Sequence, residues 1–225
     1  MRQLGLGKIE DKAVAGQLRK PSGPMGQKVG EAMNRSNALI YDFVLEKMAI
    51  QPGNVILEIG YGNGNFFSEL LLKAENIKAA GLDFSEKMYE EATVNNQKLI
   101  ETGRLKLAHG ASDNMPFESN SFDKVFCINV VYFWDDPAKH LSEILRVLKP
   151  GGKFYAGIRQ KGSMEKFPFT RYGFTMYEGS ELQAVLEKQG FANTICYTVK
   201  EPDVEIKEIT YSVESACVAG EKPLA

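Results

Sequence analysis

Three glycines alternate within five residues, Gly60, Gly62 and Gly64 of "GYGNG", directly after the β-forming run "NVILEI". Discarding side chains there costs about 0.5–1 kcal/mol of backbone entropy per residue against alanine in a regular element, so the stretch must serve a sharp turn or a close approach. Spacing narrows the ligand. The pattern is G-x-G-x-G, not the G-x-G-x-x-G of dinucleotide folds, which disfavours a nicotinamide dehydrogenase. No Gly-Lys-Ser or Gly-Lys-Thr follows to reach β- and γ-phosphates, which sets aside a P-loop enzyme. Asp83 closes the next hydrophobic run, "GLDF", at about the distance from the glycines where an acid in open α/β folds takes ribose hydroxyls. A carboxylate has two acceptor oxygens, enough for a 2′- and a 3′-hydroxyl together. The competing role for Asp83 is to cap the following helix, which Ser85 can also do. Phe84 and Met88 add apolar surface on which a purine could lie.

These residues need a scaffold that delivers them to one edge. "NALIYDFVLEKMAI" from Ser36 has helical apolar spacing and is stopped by "QPGN"; "NVILEIG" then reads as a strand. After the glycines, "NFFSELLLKAEN" reads as a helix and "IKAAGLDF" as a strand. "SEKMYEEATVNNQKLIETG" is a helix with Ser85 as N-cap, and "RLKLAHG" is a third strand. "FDKVFCINVVYF" is apolar almost throughout, as a strand covered on both faces should be. "PAKHLSEILRVLK" is a helix stopped by Pro150, Gly151 and Gly152, and "KFYAGIRQ" is the next strand. This β-α-β-α alternation predicts an open parallel sheet with right-handed crossovers. An aromatic-rich insertion at 162–178 precedes the helix "GSELQAVLEKQG". Two strand-like runs, 192–199 and 206–219, then read as an antiparallel hairpin.

Composition bounds the rest. With 225 residues, 44% hydrophobic and 25% charged, the chain has the size of one ordinary domain. The 27 Lys and Arg against 29 Asp and Glu give a formal charge of −2, so no global field draws it to nucleic acid or to an anionic membrane. Cys127, Cys196 and Cys217 match neither a disulfide framework nor a zinc-site spacing, and no metal site is expected. No apolar run approaches the roughly 18 residues of a membrane span, and the N-terminus lacks an apolar leader core. A cytoplasmic location is the expectation. Residues 1–35, with Pro21 and Pro24, read as an N-terminal arm and candidate substrate lid on a single domain at 36–225.

"VILEIGYGNGNF", "GLDFS", "MPFESNSFDKVFC" and "EILRVLKPGGKF", in this order, resemble the class I S-adenosylmethionine-dependent methyltransferases, in particular the small-molecule group that includes ubiquinone and menaquinone biosynthesis enzymes. The resemblance covers about residues 53–158. It implies an α/β, Rossmann-like three-layer sandwich with a mostly parallel seven-stranded sheet and a C-terminal antiparallel hairpin. It also implies S-adenosyl-L-methionine as cofactor and a small-molecule acceptor. Gly60, Tyr61, Gly62 and Gly64 would lie against the methionine and ribose, Asp83 would bind the ribose, and Glu58 would reach the ammonium group indirectly or bond loop amides. In "HGASDNMPF" the chain departs from the family: Ala111 stands where an Asp usually meets the adenine amino group, leaving Ser112 to offer its N–H and hydroxyl. Asn129 matches a position facing the methyl group.

Methyl transfer from a sulfonium needs chiefly alignment, so no obligatory catalytic residue is expected. His109 and His140 read as structural or solvated. Candidate acceptor contacts are Tyr41, Tyr132, Trp134, Arg171 and Tyr172, with the arm around residues 19–37; burial of Trp134 is the competing role. A homodimer is compatible with these features. The alternative is a catalytically idle module of the same fold that works by binding, for which Ala111 and Glu58 are the motivating departures.

Overall fold

In a computed structural model, which describes residues 10–206 and 209–224, nine strands and eight α-helices are seen among the described residues. The order is α1 (Asp11–Arg19), α2 (Gly23–Met48), β1 (Val55–Ile59), α3 (Phe67–Leu70), β2 (Lys78–Asp83), α4 (Glu86–Asn95), α5 (Gln97–Glu101) and β3 (Leu105–His109). It continues with β4 (Phe122–Ile128), α6 (Pro137–Val147), β5 (Leu148–Arg159), α7 (Lys161–Met164), α8 (Gly179–Lys188), β6 (Ala192–Lys200), β7 (Val204–Ile206), β8 (Ile209–Tyr211) and β9 (Glu214–Glu221). Seven strands form one sheet in the order β3-β2-β1-β4-β5-β9-β6. The first five run parallel, and β9 lies antiparallel between β5 and β6. Strand order reverses between β1 and β4, and in such sheets the crevice at the carboxyl ends of those strands is the ligand site.

Successive side chains of a strand point to opposite faces, and here both faces are covered. On one face Ile56, Ala79, Phe126, Ile128 and Tyr155 pack with Ile40, Tyr41, Val44, Leu45 and Met48 of α2. On the other, Leu57, Val125, Cys127, Phe154 and Ala156 pack with Leu141, Ile144 and Val147 of α6 and with Leu182 and Leu186 of α8. This three-layer arrangement is why β1 and β4 read as continuous apolar runs.

Several boundaries differ from the sequence reading, each for a local reason. The helix expected from Ser36 begins at Gly23, so the 35/36 division falls inside one 26-residue helix; of the expected arm, residues 1–9 lie outside the described residues. The helix expected after the glycines is cut to Phe67–Leu70. The long helix after Ser85 breaks at Asn96, whose amide donates to Gly64 O and Ala92 O at 3.0 Å, tying the helix end to the glycine loop. Ser85 does cap α4, accepting the Met88 N–H at 3.2 Å. The stop expected at Pro150 to Gly152 is instead part of β5, taken up by a register shift against β4 between Phe122 and Lys124. The expected hairpin is β6 with β9. The start of its second run, around Ile206, leaves the main sheet and joins the separate two-stranded ribbon β7–β8.

Candidate functional site

The glycine loop leaves β1 with Gly60, Gly62 and Gly64 all left-handed, at φ +74°, +58° and +71°. The three are bare for different reasons. A Cβ on Gly60 would run into Val130 Cγ2, and one on Gly64 would meet Asn96 Nδ2 at 2.6 Å and Ala92 Cβ at 2.9 Å. A Cβ on Gly62 would meet nothing within 4 Å, so the middle glycine presents naked backbone to open space. Asp83, at the end of β2, fixes this loop: its Oδ2 accepts the Gly62 N–H at 2.9 Å and its Oδ1 the Ser85 N–H at 2.8 Å. Burial raises its pKa to about 6, held back by those two N–H groups and by His109. Ser85 also donates to Pro21 O at 2.6 Å, which pins the chain between α1 and α2 over the loop.

Beneath the glycines, Glu58 of β1 is buried and accepts the Tyr41 O–H at 3.1 Å. Burial lifts its carboxyl to about 8; the Tyr41 hydroxyl opposes the rise and the charge of Asp83 adds to it. Asn63, within the loop, is 7% exposed, and its Oδ1 has no partner among the described residues. A buried amide oxygen without a donor has an unmet hydrogen bond. Bare backbone at Gly62, the unmet Asn63 oxygen and two buried carboxylates make a cleft suited to a cationic, hydroxyl-bearing ligand.

Around this cleft the sequence-derived candidates divide. Tyr61 is buried beside Phe67, its O–H donating to Ala108 O at 3.3 Å. Phe84 is half-buried, with the Lys20 ammonium 5.3 Å from its ring centre. Met88, expected as a purine surface, is instead fully buried under Gly30 of α2. Ala111 is exposed, and Ser112 is buried with its Oγ 2.8 Å from His140 Nδ1.

Beside the cleft lies a cavity of about 620 Å³ between α1, α2, the turn at 131–133, the 162–178 insertion and the segment that leads into and out of the β7–β8 ribbon. Asn129, left-handed at φ +56° directly after β4, lines it. Its amide donates to Asn37 Oδ1 at 3.1 Å, and its Oδ1 faces the Tyr132 hydroxyl at 3.1 Å. The Tyr132 hydroxyl also lies 2.8 Å from Arg159 O, so one proton serves two acceptors. Away from this polar end the wall is aromatic: Phe133 and Phe174 meet edge to face at 4.7 Å, and Phe169 and Phe167 continue it.

Of the expected acceptor contacts, Tyr132 faces the cavity and four others do not. Tyr41 is held inside the α2 face by Glu58 and by stacking on Phe66 at 4.2 Å. Trp134 is buried against His140, 4.9 Å between ring centres and nearly parallel, and belongs to the core. Arg171 and Tyr172 end the short helical turn of the insertion exposed to solvent, outside the cavity. The expected arm contributes Asn37 to the cavity, whereas sequence reading missed Asn63, Arg159, Glu201, Phe169 and Phe174. The aromatic density of "KFPFTRYGF" was the available signal for the phenylalanines, and the place of Asn63 between two of the glycines was the signal for that amide. Among the described residues no cluster of His, Cys, Asp and Glu could hold a metal ion, and no helix is long and apolar enough to cross a membrane.

Residues 57–156 match the family described as "Methyltransferase domain". The uncharacterised methyltransferase YdaC of Bacillus subtilis (strain 168) is 26% identical over 194 residues, covering 86% of this chain and 97% of the relative. YrhH of the same strain, likewise named a methyltransferase, is 32% identical over 128 residues, or 56% of this chain and 70% of the relative. Among solved structures, phosphoethanolamine N-methyltransferase 2 of Haemonchus contortus, in complex with phosphomonomethylethanolamine and S-adenosylhomocysteine, superposes with a TM-score of 0.71 at 16% identity. That match covers 96% of this chain and 60% of the other.

Proposed function

The chain belongs to the S-adenosylmethionine-dependent methyltransferases, and from that membership we propose that the glycine cleft binds the cofactor while the adjoining cavity holds a small-molecule acceptor. The observation that carries this reading is the position of Asn129, which lies at the end of β4 beside the cleft and lines the cavity. S-adenosylmethionine, when bound, supplies a methyl group on a sulfonium that needs no further activation.

The protein's own part is then positional. Gly62 offers backbone at contact distance, Asn63 Oδ1 accepts a hydrogen bond, and Asp83 keeps lone pairs free for hydroxyls beyond its two backbone partners. Glu58 places a carboxylate under the cationic part of the cofactor. Phe84, Ala111 and Ser112 border the purine side. Tyr132 and Asn37 hold the Asn129 amide in one orientation, and the aromatic wall excludes water from the acceptor. Alignment of acceptor and methyl is worth roughly 7–11 kcal/mol, enough to leave a base necessary only where the acceptor arrives protonated. Helix α1 and the first turns of α2, up to residue 35, act as the lid, tied down by the Ser85–Pro21 bond and by an Arg19–Asp135 ion pair at 2.8 Å.

Calorimetric titration with S-adenosylmethionine and S-adenosylhomocysteine tests the reading. Binding near micromolar concentration is expected, and Asp83→Ala should weaken it by about 1–3 kcal/mol through loss of a charged hydrogen-bond partner. No binding by the wild type would sink the proposal. Binding without turnover on any acceptor would support the idle module instead.

A further inference from the structure

Six charged side chains line the acceptor cavity, three basic (Arg35, Arg159, Lys166) and three acidic (Asp11, Glu201, Asp203). They are not equivalent. Arg35, Lys166 and Asp203 are solvent-exposed and Asp11, on α1, is half-buried, whereas the Arg159 and Glu201 side chains are only 17% and 6% exposed. Those two face each other through a fork: Arg159 Nε donates to Glu201 Oε1 and Nη2 to Oε2, each at 3.1 Å. The rest of the guanidinium is also engaged, with Nη2 donating to Ser36 O at 2.6 Å and Nη1 to Ser36 Oγ at 3.1 Å. Glu201 Oε1 also accepts the Ser215 hydroxyl. Guanidinium has five N–H donors, of which these bonds use the one on Nε, both on Nη2 and one on Nη1. The remaining polar groups at this end, Ser36, Asn37, Asn129 and Tyr132, are all uncharged side chains.

A charged acceptor reaching the Arg159–Glu201 end would give up its hydration and find both of those charges already paired. A buried ion without a partner is costly, whereas one already satisfied in a bidentate pair has little left to offer a third group. Uncharged acceptors escape that cost and gain the aromatic wall. We propose that the Arg159–Glu201 pair sets acceptor selectivity by cancelling its own charge at the inner end of the cavity, admitting uncharged, apolar-bodied acceptors and rejecting carboxylates, phosphates and ammonium compounds. This rests on the cavity being the acceptor site of a cofactor-binding enzyme. It makes the pair a specificity device and not a catalytic one.

The test holds ring size fixed and varies charge: 2-naphthol, 2-naphthoate and 2-naphthylmethylammonium are titrated at neutral pH, with and without saturating S-adenosylhomocysteine. The wild type should bind the naphthol at least about tenfold more tightly than either ion. Glu201→Gln should uncover Arg159 and raise naphthoate affinity relative to naphthol by about tenfold or more, and Arg159→Gln should do the same for the ammonium probe by uncovering Glu201. The double variant Arg159→Met with Glu201→Leu, which removes both charges, should keep the neutral preference even where a single variant fails to fold. Equal wild-type affinity for a charged and the neutral probe overturns the proposal, as does absence of binding by every probe or an unchanged ranking in a folded single variant. Failure of S-adenosylhomocysteine itself to bind is a separate result and counts against the cofactor reading.

Discussion

Replacing Glu58 by Gln should change how the protein's stability depends on pH. The carboxyl sits 5% exposed under the glycine loop with the Tyr41 hydroxyl as its partner, and burial lifts it from an ordinary 4.5 to about 8. A group whose folded pKa lies above its unfolded value contributes stability that is complete below the unfolded value and is lost as pH rises through the folded one. For Glu58 that window runs from 4.5 to about 8. At roughly 1.4 kcal/mol per pH unit, the loss reaches about 3 kcal/mol by pH 7 and about 5 kcal/mol above pH 8. Glutamine keeps the shape but cannot ionise, so the variant is spared this loss. Between pH 5 and pH 7 it should gain about 2–3 kcal/mol on the wild type, or about 5–10 °C in Tm for a chain of this length. Asp83 slopes the same way in both proteins and drops out of the difference. Scanning calorimetry at half-unit pH intervals reads the effect directly. Parallel profiles for the two proteins would refute a buried, protonated Glu58. The same carboxyl should be driven to ionise by a cationic cofactor, releasing a proton. The wild-type Kd for S-adenosylmethionine should therefore tighten between pH 6 and pH 8, by up to about tenfold per unit, and the Glu58→Gln slope should be shallower.

The glycines should respond in opposite ways. Gly60→Ala drives a methyl group into Val130 at a left-handed φ and should destabilise the fold by about 2–5 kcal/mol in urea titrations. Gly62→Ala meets only open space, so it should cost about 1–2 kcal/mol of backbone strain yet lose cofactor affinity by tenfold or more; equal losses of affinity at both positions would count against the assignment of the cleft. Ser85→Ala removes the cap of α4 and the bond to Pro21 together, and should cost about 1–2 kcal/mol while speeding tryptic cleavage after Arg19. An unchanged cleavage rate would mean that the lid is held elsewhere.

The fold was legible because its signals are local. Apolar runs bounded by Gly and Pro placed β1 to β5, and their alternation with helical periodicity required a parallel sheet. The errors came where a distant contact overrides a local preference. Asn96 breaks a helix that composition would continue, because its amide is taken by the carbonyl of Gly64, 32 residues back. Residues 23–35 are helical although glycine-rich and led by a proline, because the continuous α2 sets Gly26 against Pro21 and Gly30 against Met88 and Asn63. Pro150 to Gly152 stay in β5 because a register shift against β4 absorbs them.

The two halves of the site differ in the same way. The glycines and Asn63 share one loop, Glu58 stands in the strand that leads into it and Asp83 ends the next strand, so the residues proposed for the cofactor lie close together in the sequence. The acceptor cavity has no such run. Arg159 finds Glu201 42 residues later in the chain and Ser36 123 residues earlier, and the wall between them comes from an insertion whose aromatic density was visible but whose inward residues were not. Arg171 and Tyr172, chosen for chemistry, turned outward, while Phe169 and Phe174, chosen by packing, line the space. A strand-to-helix loop repeats with the fold and so can be read from spacing. The cavity proposed for the acceptor is assembled from long-range contacts, which a single sequence encodes only through the fold it produces. Neutralising Arg159 or Glu201 is therefore the sharper probe of the proposed acceptor selectivity: it tests a contact between distant segments that no motif in the sequence announces.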